Sequence, residues 1–242
     1  MLNSSAEKLA VKYKRFIMQK TIVLTLDDAC TNHLDFVVPL LKKYGFGATF
    51  FVCSREVWGE ENAKYFMTGD GFAALHRAGF EIGNHTISHA HLPELSDDGC
   101  REEIGRLNEY LASYGIPKPV SFAYPGGPYA PNAVNVIAES GLKCARTTEQ
   151  GLWDLTGTDP MRVPSYAIAE PHADLFDLAM AKAGEIRNEN QAVVLLYHGV
   201  PDIAHPWCNT PPEMFEAHMK YLFEQGFQVI SMADFMARKA MN

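Results

Sequence analysis

The feature that most constrains the fold is a joint that recurs five times, in which a helix-like stretch ends at a glycine and an apolar run follows. The five glycines are Gly45, Gly79, Gly115, Gly141 and Gly226. A glycine just past a helix end adopts the left-handed backbone that terminates the helix at little cost. The apolar run that follows is typical of a strand buried on both faces. Five such joints predict repeated αβ units around a mostly parallel sheet.

Apolar runs and helical periodicity assign most of the chain to alternating strands and helices. The predicted strands are 21–27, 48–53, 80–84, 119–124, 142–146, 162–166, 193–197 and 227–231. The predicted helices are 33–44, 68–78, 97–114, 131–140, 173–188, 212–225 and 232–240. This α/β alternation predicts a closed or nearly closed barrel, with an open doubly wound sheet as the alternative. The sequence has no GxGxxG motif and no P-loop, which weakens the nucleotide-binding version of that alternative.

Length and charge narrow the classes of protein. The chain has 242 residues, 47% of them hydrophobic, which suits one barrel domain with a substantial core. We assign residues 1–20 to an N-terminal extension and residues 21–242 to that domain. The net charge of -8 argues against nucleic acid and against an anionic membrane surface as partners. It leaves the oligomeric state open.

The cysteines and the N-terminal sequence indicate the cellular compartment of the protein. Five scattered cysteines without a CxxC pair are typical of reduced thiols rather than of a disulfide framework. The sequence shows no signal-peptide pattern and no apolar run long enough to span a membrane. We therefore expect a cytoplasmic protein, with export after removal of a signal as the alternative.

Two adjacent carboxylates, Asp27 and Asp28, stand at the end of the first predicted strand. Neighbouring side chains in a strand point to opposite faces, but the chain can turn at a strand end and bring both acids to one cavity. A buried carboxylate is costly unless it is paired or holds a metal. We interpret Asp28 as a metal ligand and Asp27 as a free base. For this stretch alone, an Asp-Asp helix cap is the alternative.

Other predicted strands also lead into residues that can bind a metal ion or take part in catalysis. His85 and His89 follow one strand, and two histidines four apart can share a face of a helical turn and bind one ion. Two further strands lead into His198 and into the turn Pro125–Gly127. The carboxyl ends of the strands in a parallel barrel open onto one face, where active sites lie. We therefore expect these residues to converge on one cavity.

These stretches resemble the motifs of a known family. TLDDA, HTISH, FAYPGG and LLYHG occur in that order, and they are similar to motifs of the polysaccharide deacetylases with NodB homology, also called carbohydrate esterase family four. The resemblance extends from Thr21 to Ala237. It implies a distorted, TIM-like (β/α) barrel with fewer than eight regular units. It also implies a metal-dependent hydrolase that removes N-acetyl groups from an amino sugar, oligosaccharide or polysaccharide.

The resemblance implies a role for each of the residues named above. Asp28, His85 and His89 would hold a divalent metal ion, in most of the family Zn²⁺. Asp27 would take a proton from the attacking water, and His198 would donate one to the leaving amine. Since a base and an acid need opposite protonation states, this division of roles predicts a bell-shaped pH profile.

The resemblance and the residue types also suggest contacts to the substrate. A backbone N–H at Gly126 or Gly127 would help to form an oxyanion hole, next to Tyr124. In the proline-rich loop after His198, Trp207 is a candidate to stack on a sugar ring. A packed surface loop without substrate contact is the alternative for Trp207.

The chain departs from the family pattern at several positions. Ala29 stands where the first motif usually has glycine. FAYPGG stands where many members have FRPPYG, so that Ala123 replaces the arginine that steadies the catalytic aspartate. We name Arg162 as the candidate replacement, with a surface ion pair as its alternative, and assign no carboxylate partner to His198. Cys30 is absent from the family's ligand set and is interpreted as a packing residue.

Two other functions stay open at this stage. The first is an amidohydrolase that acts on a small non-sugar amide or ureide with the same scaffold. The second is a carbohydrate-binding protein that keeps the fold and has no turnover. The expected partner is accordingly an N-acetylated carbohydrate or a small amide.

Overall fold

The fold is built around one central strand. The computed structural model describes residues 18–240, and its strand β1 (Thr21–Leu26) is buried along its whole length. β1 pairs in parallel with β8 (Gln191–Tyr197) on one side. On the other side it pairs first with β9 (Gln228–Ile230) and then with β2 (Thr49–Val52). β1 thus has neighbours on both sides and packed faces, as its apolar and β-branched residues predict.

The remaining strands extend the sheet on both sides of β1. In the order β5-β4-β3-β2-β1-β8-β6, the strands from β5 to β8 are parallel, and β6 is antiparallel to β8. A short β7 also pairs in parallel with β8. Their bounds are Glu81–Asn84 for β3, Ser121–Ala123 for β4, Cys144–Arg146 for β5, Trp153–Asp154 for β6 and Tyr166–Ala167 for β7.

Eight α-helical segments connect the strands in the described part of the chain. They are α1 (Val38–Tyr44), α2 (Gly59–Asn62), α3 (Gly69–Arg77), α4 (Asp97–Ser113), α5 (Pro131–Glu139), α6 (Asp174–Ala183), α7 (Pro212–Glu224) and α8 (Met232–Ala237). Within residues 18–240, no helix combines the length and the apolar character needed to cross a membrane.

Of the three hydrophobic cores in the described residues, two lie on opposite faces of β1. Successive residues of a strand point to opposite faces. Ile22 and Leu24 accordingly pack in the larger core beneath the helices, whereas Val23 packs in a second core that includes Trp153 and Phe235. The sheet therefore curves around an inner core, and the predicted distorted (β/α) barrel is confirmed.

Several predicted elements differ in detail. The strand predicted at 162–166 is displaced to β7, and the antiparallel β6 was not predicted because a two-residue strand leaves no periodic pattern. The first turn of the helix predicted at 33–44 is a wider π-helical turn, His33–Val37. Residues 1–17 of the predicted N-terminal extension lie outside the described residues.

Candidate active site

The carboxyl ends of four strands bring the predicted site residues to one cavity. Leu26 of β1 pairs with Tyr197 of β8, and the next residue, Asp27, donates its backbone N–H to the Tyr197 carbonyl at 2.9 Å. His198 follows Tyr197 directly, and His85 follows β3. These side chains line a cavity of about 330 Å³. The parallel register of the strands explains why residues far apart in sequence meet here.

A double left-handed turn points both aspartates into the cavity. Asp28 and Ala29 have φ values of 67° and 57°, in the region that favours glycine. This turn accounts for the small residue at position 29. Neither aspartate caps the following helical turn, whose N-cap is Asn32, so the helix-cap alternative is wrong.

Asp28, His85 and His89 form a compact group of possible metal ligands. The Asp28 Oδ1 lies 3.6 Å from the His85 Nε2 and 3.5 Å from the His89 Nε2. One ligand atom from each residue lies within 4.8 Å of the other two. The predicted helical turn is wrong, because Thr86 and His89 have positive φ values of 61° and 53° and the segment is a loop. The two rings nevertheless meet, with centroids 4.9 Å apart.

The neutral state of the two histidines suits a divalent cation. The His85 Nδ1 is 2.8 Å from the Ala123 carbonyl, which fixes the proton on Nδ1 and leaves Nε2 free as a ligand. Burial lowers the pKa of His85 to about 4 and that of His89 to about 3, so both rings are neutral. Burial, with the charge of Asp27, raises the pKa of Asp28. The Asp28 Oδ1 is buried without a hydrogen-bond partner among the described residues, and a cation would satisfy it.

Asp27 is held differently, by an ion pair with Arg146. The Arg146 guanidinium bonds the Asp27 Oδ2, and its central carbon lies 5.3 Å from the Phe51 ring centroid. Burial is the largest single influence and would raise the pKa of Asp27, but the charge and hydrogen bond of Arg146, together with His85 and His198, outweigh it and the pKa is lowered. Asp27 is therefore ionised. Its second oxygen, Oδ1, has no hydrogen-bond partner in residues 18–240 and is free to accept a proton.

The prediction that Arg162 steadies Asp27 is wrong. Arg162 lies on the surface, 3.6 Å from Glu149 and 5.0 Å from the Tyr129 ring centroid. Arg146 takes the place instead, because β5 pairs with β4 so that Arg146 lies opposite Ala123. Arg146 ends a predicted strand, but no pattern in the sequence indicates that this strand lies next to β4.

The glycine turn after β4 lines the cavity as predicted, although one of its N–H groups is already used. Gly126 and Gly127 have φ values of 68° and 97°. The Gly127 N–H donates to the Tyr124 carbonyl at 2.9 Å and closes the turn. Pro125 has no N–H, so Gly126 supplies the donor left in this turn. The Tyr124 ring lines the cavity, whereas its hydroxyl donates to the Met161 carbonyl at 3.0 Å.

Aromatic side chains form the rim of the cavity. Trp207 is 68% exposed at this rim, and its ring centroid is 5.2 Å from that of His205. Trp58, which the sequence reasoning missed, packs against His205 and His89 with centroid distances of 4.5 and 5.0 Å. A lone tryptophan in a segment without periodicity gave no signal of this position.

His198 is partly buried beside Asp27 and Asp202. Burial lowers its pKa, and the charges of the two carboxylates oppose that shift. Its backbone carbonyl is 3.0 Å from the Nε2 of the buried His33. The charges of Asp27 and Asp202 both act on His198, and within residues 18–240 no hydrogen bond to its ring singles out one of them as the carboxylate partner that the sequence left unassigned.

The fold and the site define a distorted α/β barrel with a candidate metal centre and a paired acid at the carboxyl ends of its strands. The chain belongs to the polysaccharide deacetylase family, whose model matches residues 17–145. It is 26% identical over 133 residues to a putative polysaccharide deacetylase, YxkH, of Bacillus subtilis, covering 55% of this chain and 46% of that protein. It is also 26% identical over 219 residues to the peptidoglycan-N-acetylmuramic acid deacetylase PdaC of the same organism, covering 89% of this chain and 38% of PdaC. The chain spans less than half the length of the curated relatives it matches.

Solved structures with the same fold include active and inactive relatives. BA3943 from Bacillus anthracis, described as a pseudoenzyme of carbohydrate esterase family 4, has a TM-score of 0.62 at 24% identity, covering 90% of this chain and 66% of that one. A family 4 acetyl xylan esterase from Clostridium thermocellum, solved with a cobalt ion, has a TM-score of 0.62 at 22% identity, covering 91% and 92%. These similarities establish the fold.

Proposed function

We propose that this protein is a metal-dependent deacetylase that removes N-acetyl groups from an amino sugar, oligosaccharide or polysaccharide. The observation that supports this most is the pairing of a three-residue ligand group with an ionised, partly unbonded aspartate directly beside it. Asp28, His85 and His89 leave room for substrate, as three-ligand catalytic sites do. Asp27 stands next to them with one free oxygen.

The ligand group fits a divalent ion such as Zn²⁺. Carboxylate and neutral imidazole are ligands that this ion takes, and each imidazole offers its Nε2 to the side facing Asp28. When bound, such an ion supplies Lewis-acid polarisation of a carbonyl oxygen and lowers the pKa of water. The family resemblance and the cobalt ion reported for the acetyl xylan esterase support this assignment.

Asp27 acts as the general base in this proposal. Arg146 occupies the Oδ2 and keeps the carboxylate ionised, so the Oδ1 accepts the proton of the attacking water. The guanidinium also fixes the direction in which the Oδ1 points, since Arg146 is itself 1% exposed and packed on Phe51. A preorganised base of this kind needs no rearrangement at the moment of reaction.

Gly126 stabilises the oxyanion in this proposal, and His198 protonates the leaving group. The Gly126 N–H donates to the oxyanion that develops on the substrate carbonyl, a contribution of about 3 kcal/mol in comparable sites. Protonated His198 donates its proton to the departing amine; burial disfavours that protonated form, and the charges of Asp27 and Asp202 oppose the effect of burial. Acetate and a free amine are the products.

The identity of the relatives favours a carbohydrate substrate. PdaC acts on peptidoglycan N-acetylmuramic acid, and other matched relatives are a chitin deacetylase and a peptidoglycan-N-acetylglucosamine deacetylase. The exposed Trp207 at the rim supports this choice, because an apolar ring face is the usual platform for a sugar. A small amide or ureide is the second candidate, since the cavity of about 330 Å³ is at the lower end of the range for ligand pockets.

Acetate release from N-acetylated chitooligosaccharides by the Zn²⁺-loaded protein tests the proposal. We expect Asp27→Asn to keep the metal and lose turnover, and Asp28→Ala to lose both. Turnover of ureides without acetate release would support the second candidate. Normal acetate release by both variants would refute the assigned roles.

A further inference from the structure

A second group of metal-ligand side chains lies in the loop after β8. Asp202, His205 and Cys208 are spaced three residues apart, and one ligand atom from each lies within 4.8 Å of the other two. The loop is held in this shape by Asp202, whose Oδ1 accepts the His205 N–H at 2.8 Å and whose Oδ2 accepts the Gly199 N–H at 3.2 Å. The Asp202 N–H donates to the Asn209 side chain at 2.9 Å. The Asp202 carboxylate is thus fixed by the loop backbone, with His205 and Cys208 on the same loop.

Two of the three pairs in this group lie near the spacing of ligands around a tetrahedral ion, one pair through each oxygen of Asp202. The His205 Nδ1 lies 3.6 Å from the Asp202 Oδ1, and the Cys208 Sγ lies 3.8 Å from the Asp202 Oδ2. Ligand atoms around tetrahedral Zn²⁺ are separated by roughly 3.3–3.8 Å, given bonds of about 2.0–2.3 Å. The Cys30 Sγ is also 3.8 Å from the Asp202 Oδ2, so a second thiol faces the same carboxylate. Cys30 therefore contacts this polar group and does more than fill the core.

The surroundings are rich in buried negative charge. Asp27, Asp28 and Asp202 are each at most 4% exposed. Of the Lys and Arg side chains in the described residues, Arg146 alone lines the cavity, and it is bonded to Asp27. A buried carboxylate requires a pairing charge, a set of hydrogen bonds or a metal. Asp202 accepts two backbone N–H groups, whereas the Asp28 Oδ1 has no hydrogen-bond partner in residues 18–240, so a cation near Asp202 and Asp28 would balance carboxylates that Arg146 does not pair.

We propose that Asp202, His205 and Cys208 form a second metal site, suited to Zn²⁺ or a similar divalent ion, beside the group of Asp28, His85 and His89. The carboxylate of Asp28 lies between the two sites. Its Oδ1 faces His85 and His89, whereas its Oδ2 is 4.0 Å from the His205 Nδ1. A thiol among the ligands distinguishes the second site chemically from the first, because thiolate favours softer ions than imidazole and carboxylate do. The second site does not depend on the chain being a deacetylase.

Metal counting and cobalt spectroscopy test this site without an activity assay. The metal-free 242-residue chain is loaded with Zn²⁺, freed of excess ion by gel filtration and analysed for zinc per chain. We expect two equivalents. Loading with Co²⁺ should give a near-ultraviolet sulfur-to-cobalt charge-transfer band, which the first site cannot produce because it has no thiol.

Three variants assign the signals to their sites. Cys208→Ala should bind one equivalent of zinc and lose the band, whereas His89→Gln should bind one equivalent and keep it. Cys144→Ala removes a thiol on β5, outside both groups, and should match the wild type. If Cys208→Ala loses its native circular dichroism, His205→Gln replaces it with the same expectation of one equivalent. One equivalent in the wild type, two equivalents without the band, or a band that survives the Cys208 substitution would each overturn the proposal.

Discussion

Removing the Arg146 guanidinium isolates the ion pair on which the base assignment depends. We choose Arg146→Met because a methionine of similar length keeps contact with Phe51 while the charge disappears. Both partners of the pair are nearly inaccessible to solvent, with Arg146 1% and Asp27 3% exposed. Breaking a buried pair by removing one partner costs about 3–5 kcal/mol, because the other charge is left uncompensated. At about 2–4 °C per kcal/mol for a chain of this size, the melting temperature should fall by roughly 6–20 °C.

A double-mutant cycle separates this loss from simple repacking. The double variant Asp27→Asn/Arg146→Met removes both charges of this pair, so we expect its loss of unfolding free energy to be well below the sum of the single losses. Urea unfolding followed by circular dichroism measures all four proteins. Arg162→Met is the matched control, since that arginine is exposed and should change stability by less than about 1 kcal/mol. Additive losses in the cycle would refute the reasoning.

The same pair offers a test of register. Ala123 of β4 is the register partner of Arg146 of β5. The side chain of an arginine at position 123 would therefore leave the sheet one strand away from that of Arg146. In the swap Ala123→Arg/Arg146→Ala, we expect the new guanidinium to reach Asp27 and to recover part of the acetate release that Arg146→Ala loses. Equal, low turnover in the swap and in Arg146→Ala would show that the position of the arginine, and not its charge alone, is required.

Three further predictions concern pH, substrate binding and backbone strain. Burial lowers the pKa of His218 to about 4, so the unfolded chain binds more protons between about pH 6.5 and 4, and stability falls as the pH drops through that window. Allowing for partial exposure, we expect His218 to account for about 1–2 kcal/mol of this loss. In urea unfolding of chelator-treated protein, His218→Gln should lose less unfolding free energy than the wild type between pH 7 and 5. Equal losses in the two proteins would contradict this. Trp207→Ala should raise KM about tenfold with kcat nearly unchanged if this ring binds the sugar, and an unchanged KM would exclude it. Gly127→Ala should destabilise the chain by about 1–3 kcal/mol, because its Cβ would lie 2.3 Å from the Thr148 Oγ1. Gly45 also has a positive φ but has open space around it, so Gly45→Ala should lower the melting temperature less.

The sequence was sufficient for the architecture and for the residues that leave the strand ends. Asp27, His85 and His198 each follow an apolar run, and parallel pairing of those runs places the next residue at the same edge of the sheet. This inference needs only strand type and direction. It does not require the register, which is why it succeeded from pattern alone.

Contacts that depend on register or on loop backbone were beyond the sequence. Arg146 reaches Asp27 because β5 sits next to β4, which no periodicity indicates. Left-handed residues at Thr86 and His89 bring the two histidines together, whereas the four-residue spacing indicated a helical turn. The grouping of Asp202 with His205 depends on side-chain-to-backbone hydrogen bonds within an irregular loop. Such bonds compete with regular structure and leave no periodic trace.

The most direct test of the account is a crystal structure of the zinc-soaked protein with data collected at the zinc absorption edge. The account predicts an anomalous peak about 2.0–2.2 Å from the Asp28 carboxylate and from the Nε2 atoms of His85 and His89. Asp27 should remain paired with Arg146 and lie outside the ligand set. Zinc bound by Asp27 in place of Asp28, or no peak among these three residues in fully loaded protein, would contradict it.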